Sequence, residues 1–163
     1  MTNKIWKMKN QMQDYRNLDS HTYGTYFTKV KGYVESHYSI RVTAVKLHIK
    51  KSKNEYNLNN AEADFDGDDI RISEDVGPEE SLFILLHTFG HTVQWNTSKK
   101  LRDFGMIDFS KINISNEILY LMYEYEKDAS RYGLELLYRC GIENLDQWIA
   151  DWFEADWEFL KEF

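Results

Sequence analysis

His87 and His91 stand four residues apart in the apolar run SLFILLHTFGHTVQW, Ser81 to Trp95. On a helix, side chains at i and i+4 share one face, so two imidazoles can converge on one ion. Zinc takes tetrahedral N, S or O ligands. A catalytic zinc site draws three from the protein and leaves one position open. The spacing is that of the zinc-binding pattern H-E-x-x-H, whose glutamate is the general base. Here the glutamate position is Thr88. A threonine hydroxyl is no base near neutral pH and can at most hydrogen-bond a water. The residues therefore describe a metal site without its usual base. The plainer alternative is two core or surface histidines.

A third ligand has to come from elsewhere. Periodicity predicts a long helix over Ser115 to Arg139. At about 100° per residue, Leu119, Met122, Ala129, Gly133, Leu136 and Leu137 form one apolar stripe. Glu126 falls inside it, whereas Glu124, Asp128, Arg131 and Glu135 fall opposite. A carboxylate on a buried stripe is costly unless it is paired or binds metal. That selects Glu126 over Glu124, although Glu124 and Asp128 make an E-x-x-x-D pattern. A basic partner for Glu126, as a satisfied core acid, is the competing reading. Ser130, one turn further on the same face, can hydrogen-bond a ligand. Gly90 permits close approach just before the second histidine. His21, His37 and His48 have no partner pattern and read as structural or exposed. The aromatics of WIADWFEADWEFL recur at helical spacing and read as packing.

The elements that must position these residues follow from the rest of the chain. Ile5, Met8, Met12 and Tyr15 suggest a short first helix, and Tyr26, Phe27, Val30, Tyr33 and Val34 a better one over Thr25 to His37. Ile40 to Ile49 alternates and is β-branched, hence a strand, with a phase slip near Ala44 and Val45 that suggests a bulge. Asp66-Gly67 predicts a two-residue hairpin turn between Ala61–Phe65 and Asp69–Ser73. Asp64, Asp66 and Asp68 alternate as in a calcium loop, but glycine falls at the fourth position of the run rather than the sixth. Gly77-Pro78-Glu79-Glu80 starts the histidine helix, which should reach about Trp95. Asn96 to Ile114 reads as irregular. The long helix should stop at Cys140-Gly141, and a last one covers Asn144 to Lys161. The expected fold is α+β: a small antiparallel or mixed sheet with its hairpin packed on helices, a histidine-bearing helix, and two further C-terminal helices.

Composition narrows the function classes. At 163 residues the chain fits one domain with a core, residues 1–24 being its least defined part. A net charge of −7 argues against broad phosphate-backbone binding, so no nucleic-acid partner is expected. Cys140 is the single cysteine, which excludes an internal disulfide and suits a reducing compartment. The start MTNKIWKMKNQMQDYRN has no continuous apolar block, and no run is long enough to span a bilayer. A cytoplasmic protein with no membrane partner is the expectation.

ADFDGDDIRISEDVGPEESLFILLHTFGH resembles the core of the ImmA/IrrE family of zinc metallopeptidase-like, zincin-like proteins: a hairpin, an acidic helix start, then the histidine helix. EKDASRYGLELL resembles that family's second motif, and that of HtpX-like membrane peptidases, in which a glutamate ligand precedes an Ala–Asp/Asn–x–aromatic–small run. The resemblance covers 26–137 by order of elements and places the ligand at Glu126. It implies Zn2+ held by His87, His91 and Glu126. Two positions depart from it: Thr88 at the catalytic glutamate, and Ser130 at the following Asp/Asn. The ligands match while the chemistry residue does not. Three functions follow: a catalytically weak or silent pseudoenzyme that binds metal and acts on a protein or peptide ligand; an active zinc peptidase or hydrolase with a base such as Asp103, Asp108 or Glu117; and a metal-free binding module.

Overall fold

Asp19 opens the first helix of the computed structural model, which describes residues 15–46, 61–64 and 66–161, with the backbone alone for 159–161. The Asp19 carboxylate accepts a hydrogen bond from the Thr22 backbone N–H at 2.8 Å and caps α1, Ser20–Tyr38. The helix starts earlier than its apolar face predicted because this cap recruits one more turn, which buries Tyr23 against Trp148 with ring centroids 5.8 Å apart. The first expected helix, the strand beyond Lys46, His48, and the side chains of Phe65, Phe159 and Leu160 lie outside the described residues.

The sheet has the order β1-β3-β2, with β1 Arg41–Val45, β2 Ala61–Ala63 and β3 Asp69–Ser73. β1 runs parallel to β3, and β2 antiparallel to it. The β1–β3 register passes unbroken from Arg41↔Asp69 to Val45↔Ser73, so there is no bulge at Ala44 or Val45. The phase slip arises because this short strand buries Val42 and leaves Ala44 exposed, so Val45 pairs without needing a buried face. The hairpin is present, but its reversal is longer than two residues. Ala63 pairs with Ile70, the Gly67 N–H donates to the Asp64 carbonyl at 2.9 Å, and of Asp66 and Gly67 only the glycine takes a positive φ, +76°. Asp64 and Asp66 pair with arginines: Arg71 lies 3.2 Å from Asp64 and Arg102 3.1 Å from Asp66.

Pro78 in the first turn, with Glu79 and Glu80 at the positive dipole end, starts α2, Pro78–Thr97. Leu82, Leu85, Leu86 and Phe89 bury one side of it in the core. The stretch expected to be irregular contains a short helix, α3, Lys99–Gly105, because the Ser98 hydroxyl caps the Leu101 N–H at 3.2 Å. A 3-10 turn follows at Phe109–Lys111. Ser115 caps α4, Asn116–Arg139, which gives way at Cys140 to Gly141 with φ +76°. The last helix is α5, Asp146–Lys161. The α+β expectation holds, with five α-helices and one three-stranded mixed sheet among the described residues. α2 is the central element and packs on the sheet, α1 and α4. No helix among the described residues is long and apolar enough to cross a membrane.

Candidate metal centre

α2 and α4 approach so closely that there is no room for a side chain between them. A Cβ on Gly90 would lie 2.5 Å from the Ala129 carbonyl carbon and 2.7 Å from its Cα, with the carbonyl oxygen closer still. One turn along α4, a Cβ on Gly133 would meet the Leu86 carbonyl oxygen at 2.9 Å. These two glycines set the helix separation. His87 and His91 flank Gly90 on one helix, while Glu126 and Ser130 flank Ala129 on the other. Backbone contact at the centre thus brings all four side chains together.

Glu126 Oε2 lies 2.7 Å from His87 Nε2 and 3.0 Å from His91 Nε2, and the two Nε2 atoms are 3.2 Å apart. Two donors on a tetrahedral zinc lie about 3.3 Å apart. The three atoms form a triangle close to that size, and among the described residues they are the one group of three able to hold a metal ion. Glu126 rather than Glu124 is the third member, since Glu124 is exposed.

The outer nitrogens of both rings are also engaged. His87 Nδ1 lies 2.9 Å from Ser130 Oγ, and His91 Nδ1 lies 2.8 Å from Gln94 Oε1. Gln94 is fully buried, and its amide nitrogen faces two acceptors, the Tyr125 carbonyl at 2.8 Å and Asp128 Oδ2 at 3.0 Å. Those acceptors fix the amide orientation, so Gln94 Oε1 must accept from His91 Nδ1–H. A neutral His91 then carries its lone pair on Nε2, the atom facing the other donors. Metal-ligating histidines are held in this way, through a hydrogen bond from the second ring nitrogen. At 3.0 Å from Glu126 Oε2, a protonated His91 donates its Nε2–H, and a cation can take the place of that proton. The donor set therefore fits a divalent ion.

Aromatic rings hold the imidazoles in place. His91 sits between Trp95, centroids 5.7 Å apart, and Tyr125, 4.7 Å, while Phe83 stacks on His87 at 5.5 Å. Trp95 Nε1 donates to the Tyr125 hydroxyl at 2.7 Å and locks the two flanking rings. Burial on its own would raise the Glu126 carboxyl. The charge of His91 and hydrogen bonds from both imidazoles outweigh that and hold it well below the usual carboxylate range. Burial disfavours a charged His87, but the adjoining Glu126 carboxylate prevails and raises it.

Thr88 is half-buried beside His87 and makes no hydrogen bond to the cluster. The three carboxylates weighed as alternative bases do not reach it either. Asp103 is exposed and paired with Lys99 at 2.6 Å, Asp108 pairs with Lys111 at 3.3 Å, and Glu117 is exposed in the first turn of α4. His21 and His37 are exposed, as their lack of a partner pattern suggested.

One residue in contact with the cluster, Gln94, and one buried acid that acts on it electrostatically, Asp156, went unread in the sequence. Gln94 shares the helix face of His87 and His91, and a lone amide on that apolar face was the signal. Asp156 lies on α5 among Trp148, Ile149, Trp152, Phe153 and Trp157, all apolar and mostly buried. The stripe argument that selected Glu126 selects it equally. Burial raises the Asp156 carboxyl to about 6, and the charges of His87, Glu126 and His91 all bear on it. Comparison with known protein families, curated proteins and solved structures finds no match, so the site is read from its own geometry.

Proposed function

We propose that this chain is a zincin-like protein of the ImmA/IrrE kind that holds one zinc ion through His87, His91 and Glu126, is weak or silent in peptide hydrolysis, and acts by binding a protein or peptide. The observation that carries the reading is the triangle of His87 Nε2, His91 Nε2 and Glu126 Oε2, 2.7 to 3.2 Å on a side, with the outer nitrogen of each ring hydrogen-bonded. An ion there would polarise a carbonyl or a water. What this chain lacks is a base at the position after the first histidine. A positioned base is worth about a hundred- to ten-thousand-fold in rate, and the Thr88 hydroxyl does not supply it. Exposed Met106, Ile107, Ile112 and Ile114 follow α3, whose Phe104 packs on Tyr125 at 5.0 Å, itself against His91. Exposed apolar side chains in the segment that follows α3 suit a peptide ligand.

The working hydrolase is the second reading, and Asp156 is the observation in its favour, as a buried carboxylate near the cluster. Cleavage of an unfolded protein substrate separates the two. The proposal expects slight or no chelator-sensitive cleavage by the wild type and a gain of about a hundredfold or more in Thr88→Glu. Wild-type cleavage that a chelator stops, Asp156→Asn abolishes and Thr88→Glu does not raise would establish the hydrolase instead.

A further inference from the structure

α5 packs on α4 and meets α2 through long side chains. On α2, Glu79, Phe83 and His87 stand four residues apart. On α5, Trp148, Trp152 and Asp156 are also four apart. Glu79 Oε1 accepts from Trp148 Nε1 at 3.0 Å and from Trp152 Nε1 at 3.1 Å. Phe83 stacks on Trp152 with centroids 5.5 Å apart, and stacks on His87 at the same distance. Asp156 stands one turn beyond Trp152 on α5, as His87 stands one turn beyond Phe83 on α2, and the two interact electrostatically.

Asp156 Oδ2 is buried and has no hydrogen-bond partner. Asp69 Oδ1 is also buried without one, but it lies 3.6 Å from the Arg41 guanidinium, which accounts for it. Among the described residues no cation pairs with Asp156. A buried carboxylate oxygen without a donor is costly, and such a group calls for an explanation by role or by an ion or water. The charged groups that act on it electrostatically are His87, His91 and Glu80 from α2 and Glu126 from α4.

We propose that Asp156 is the fourth protein group of the metal centre, a carboxylate set beside His87 that faces a divalent cation from α5 and supplies the second negative charge of the site. The proposal rests on the metal-binding reading above. Two neutral imidazoles and two carboxylates balance a dication, whereas the three-ligand set alone leaves one positive charge buried. Asp156 lies outside the three-donor group, so it acts across a short gap, by charge and by accepting a hydrogen bond from a water held between.

The test is Zn2+ affinity by competition with a chromophoric chelator at neutral pH, for wild type, Asp156→Asn and Asp156→Glu, with thermal unfolding of each metal-free protein. Asp156→Asn should keep a stoichiometry of about one but bind about 10- to 100-fold more weakly. Asp156→Glu, which keeps the charge, should recover most of that loss. Metal-free Asp156→Asn should melt at or above the wild-type temperature, because it relieves an unpartnered buried charge. A merely structural aspartate gives the opposite pattern: a lower melting temperature with unchanged affinity. Equal affinity in Asp156→Asn, or an equal loss in Asp156→Glu, overturns the proposal and leaves the three-ligand site standing. A wild type that takes up no Zn2+ removes both.

Discussion

Gly90→Ala should open the metal centre without touching a ligand. Two effects of opposite sign compete. In a helix interior alanine is favoured over glycine by about 1 kcal/mol. Against that, the new Cβ would stand 2.5 Å from the Ala129 carbonyl carbon and 2.7 Å from its Cα. Unstrained carbon atoms sit about 3.5 Å apart or more, so α2 and α4 must part by about 1 Å. The atoms in the way are backbone and cannot rotate aside. Overpacking of this kind costs about 3 kcal/mol or more, for a net loss of about 2 kcal/mol. For a chain of this size that is a fall of about 4–8 °C in melting temperature. His87 Nε2 and Glu126 Oε2, now 2.7 Å apart, would move to about 3.7 Å, where metal–ligand distances tolerate only about 0.2 Å. Thermal unfolding with and without Zn2+ reads both effects. Gly32→Ala is the control, because its Cβ meets nothing within 4 Å on α1, and it should be neutral or slightly stabilising. A Gly90→Ala protein that melts as high as wild type and is stabilised equally by Zn2+ would refute the reasoning.

Gln94→Leu frees the His91 ring from its tautomer and should weaken Zn2+ binding about 10- to 100-fold in chelator competition, with unchanged affinity counting against the role given to Gln94. Relative to Asp156→Asn, the metal-free wild type should lose stability as pH rises from about 4 to about 6, against the gain that the depressed Glu126 carboxyl contributes at the low end of that range in both proteins. Burial and its neighbours place the Asp156 carboxyl at about 6 against an ordinary 3.8, so across that window the folded state holds a proton the unfolded state has released. The difference is worth at most about 3 kcal/mol, read as the gap between the urea titrations of wild type and Asp156→Asn across the range. His87, raised by Glu126, adds a second decline as pH rises through its folded value. A gap that does not change with pH would contradict the Asp156 assignment, and the absence of that second decline the His87 one.

The cluster was legible in the sequence because its logic is one-dimensional. Helical spacing pairs His87 with His91, and one acid on an apolar stripe identifies Glu126. Both are properties of a single helix. Gln94 and Asp156 obey the same logic, but Gln94 falls outside the H-x-x-x-H spacing, and Asp156 is a single acid among Trp148, Trp152, Phe153 and Trp157, whose helical spacing signals packing. The fold was legible where caps and stripes coincide, as in α2 and α4. It was less so where the deciding contact is distant in sequence or local in dihedral space. The hairpin reversal depends on whether Asp66 joins Gly67 at positive φ, which the Asp-Gly pair favours but does not compel. The helix α3 depends on the Ser98 cap, a signal weaker than the polar composition around it.

The central claim is that His87, His91 and Glu126 hold one metal ion. Elemental analysis of untagged protein tests it directly, beside His87→Ala and Glu126→Ala, with circular dichroism to establish that each variant is folded. The account predicts about one zinc per chain in the wild type, lost in both folded variants. A folded wild type without stoichiometric metal, even after incubation with zinc and removal of the excess, would contradict it and make the triangle of donors a hydrogen-bonded His–Glu–His core.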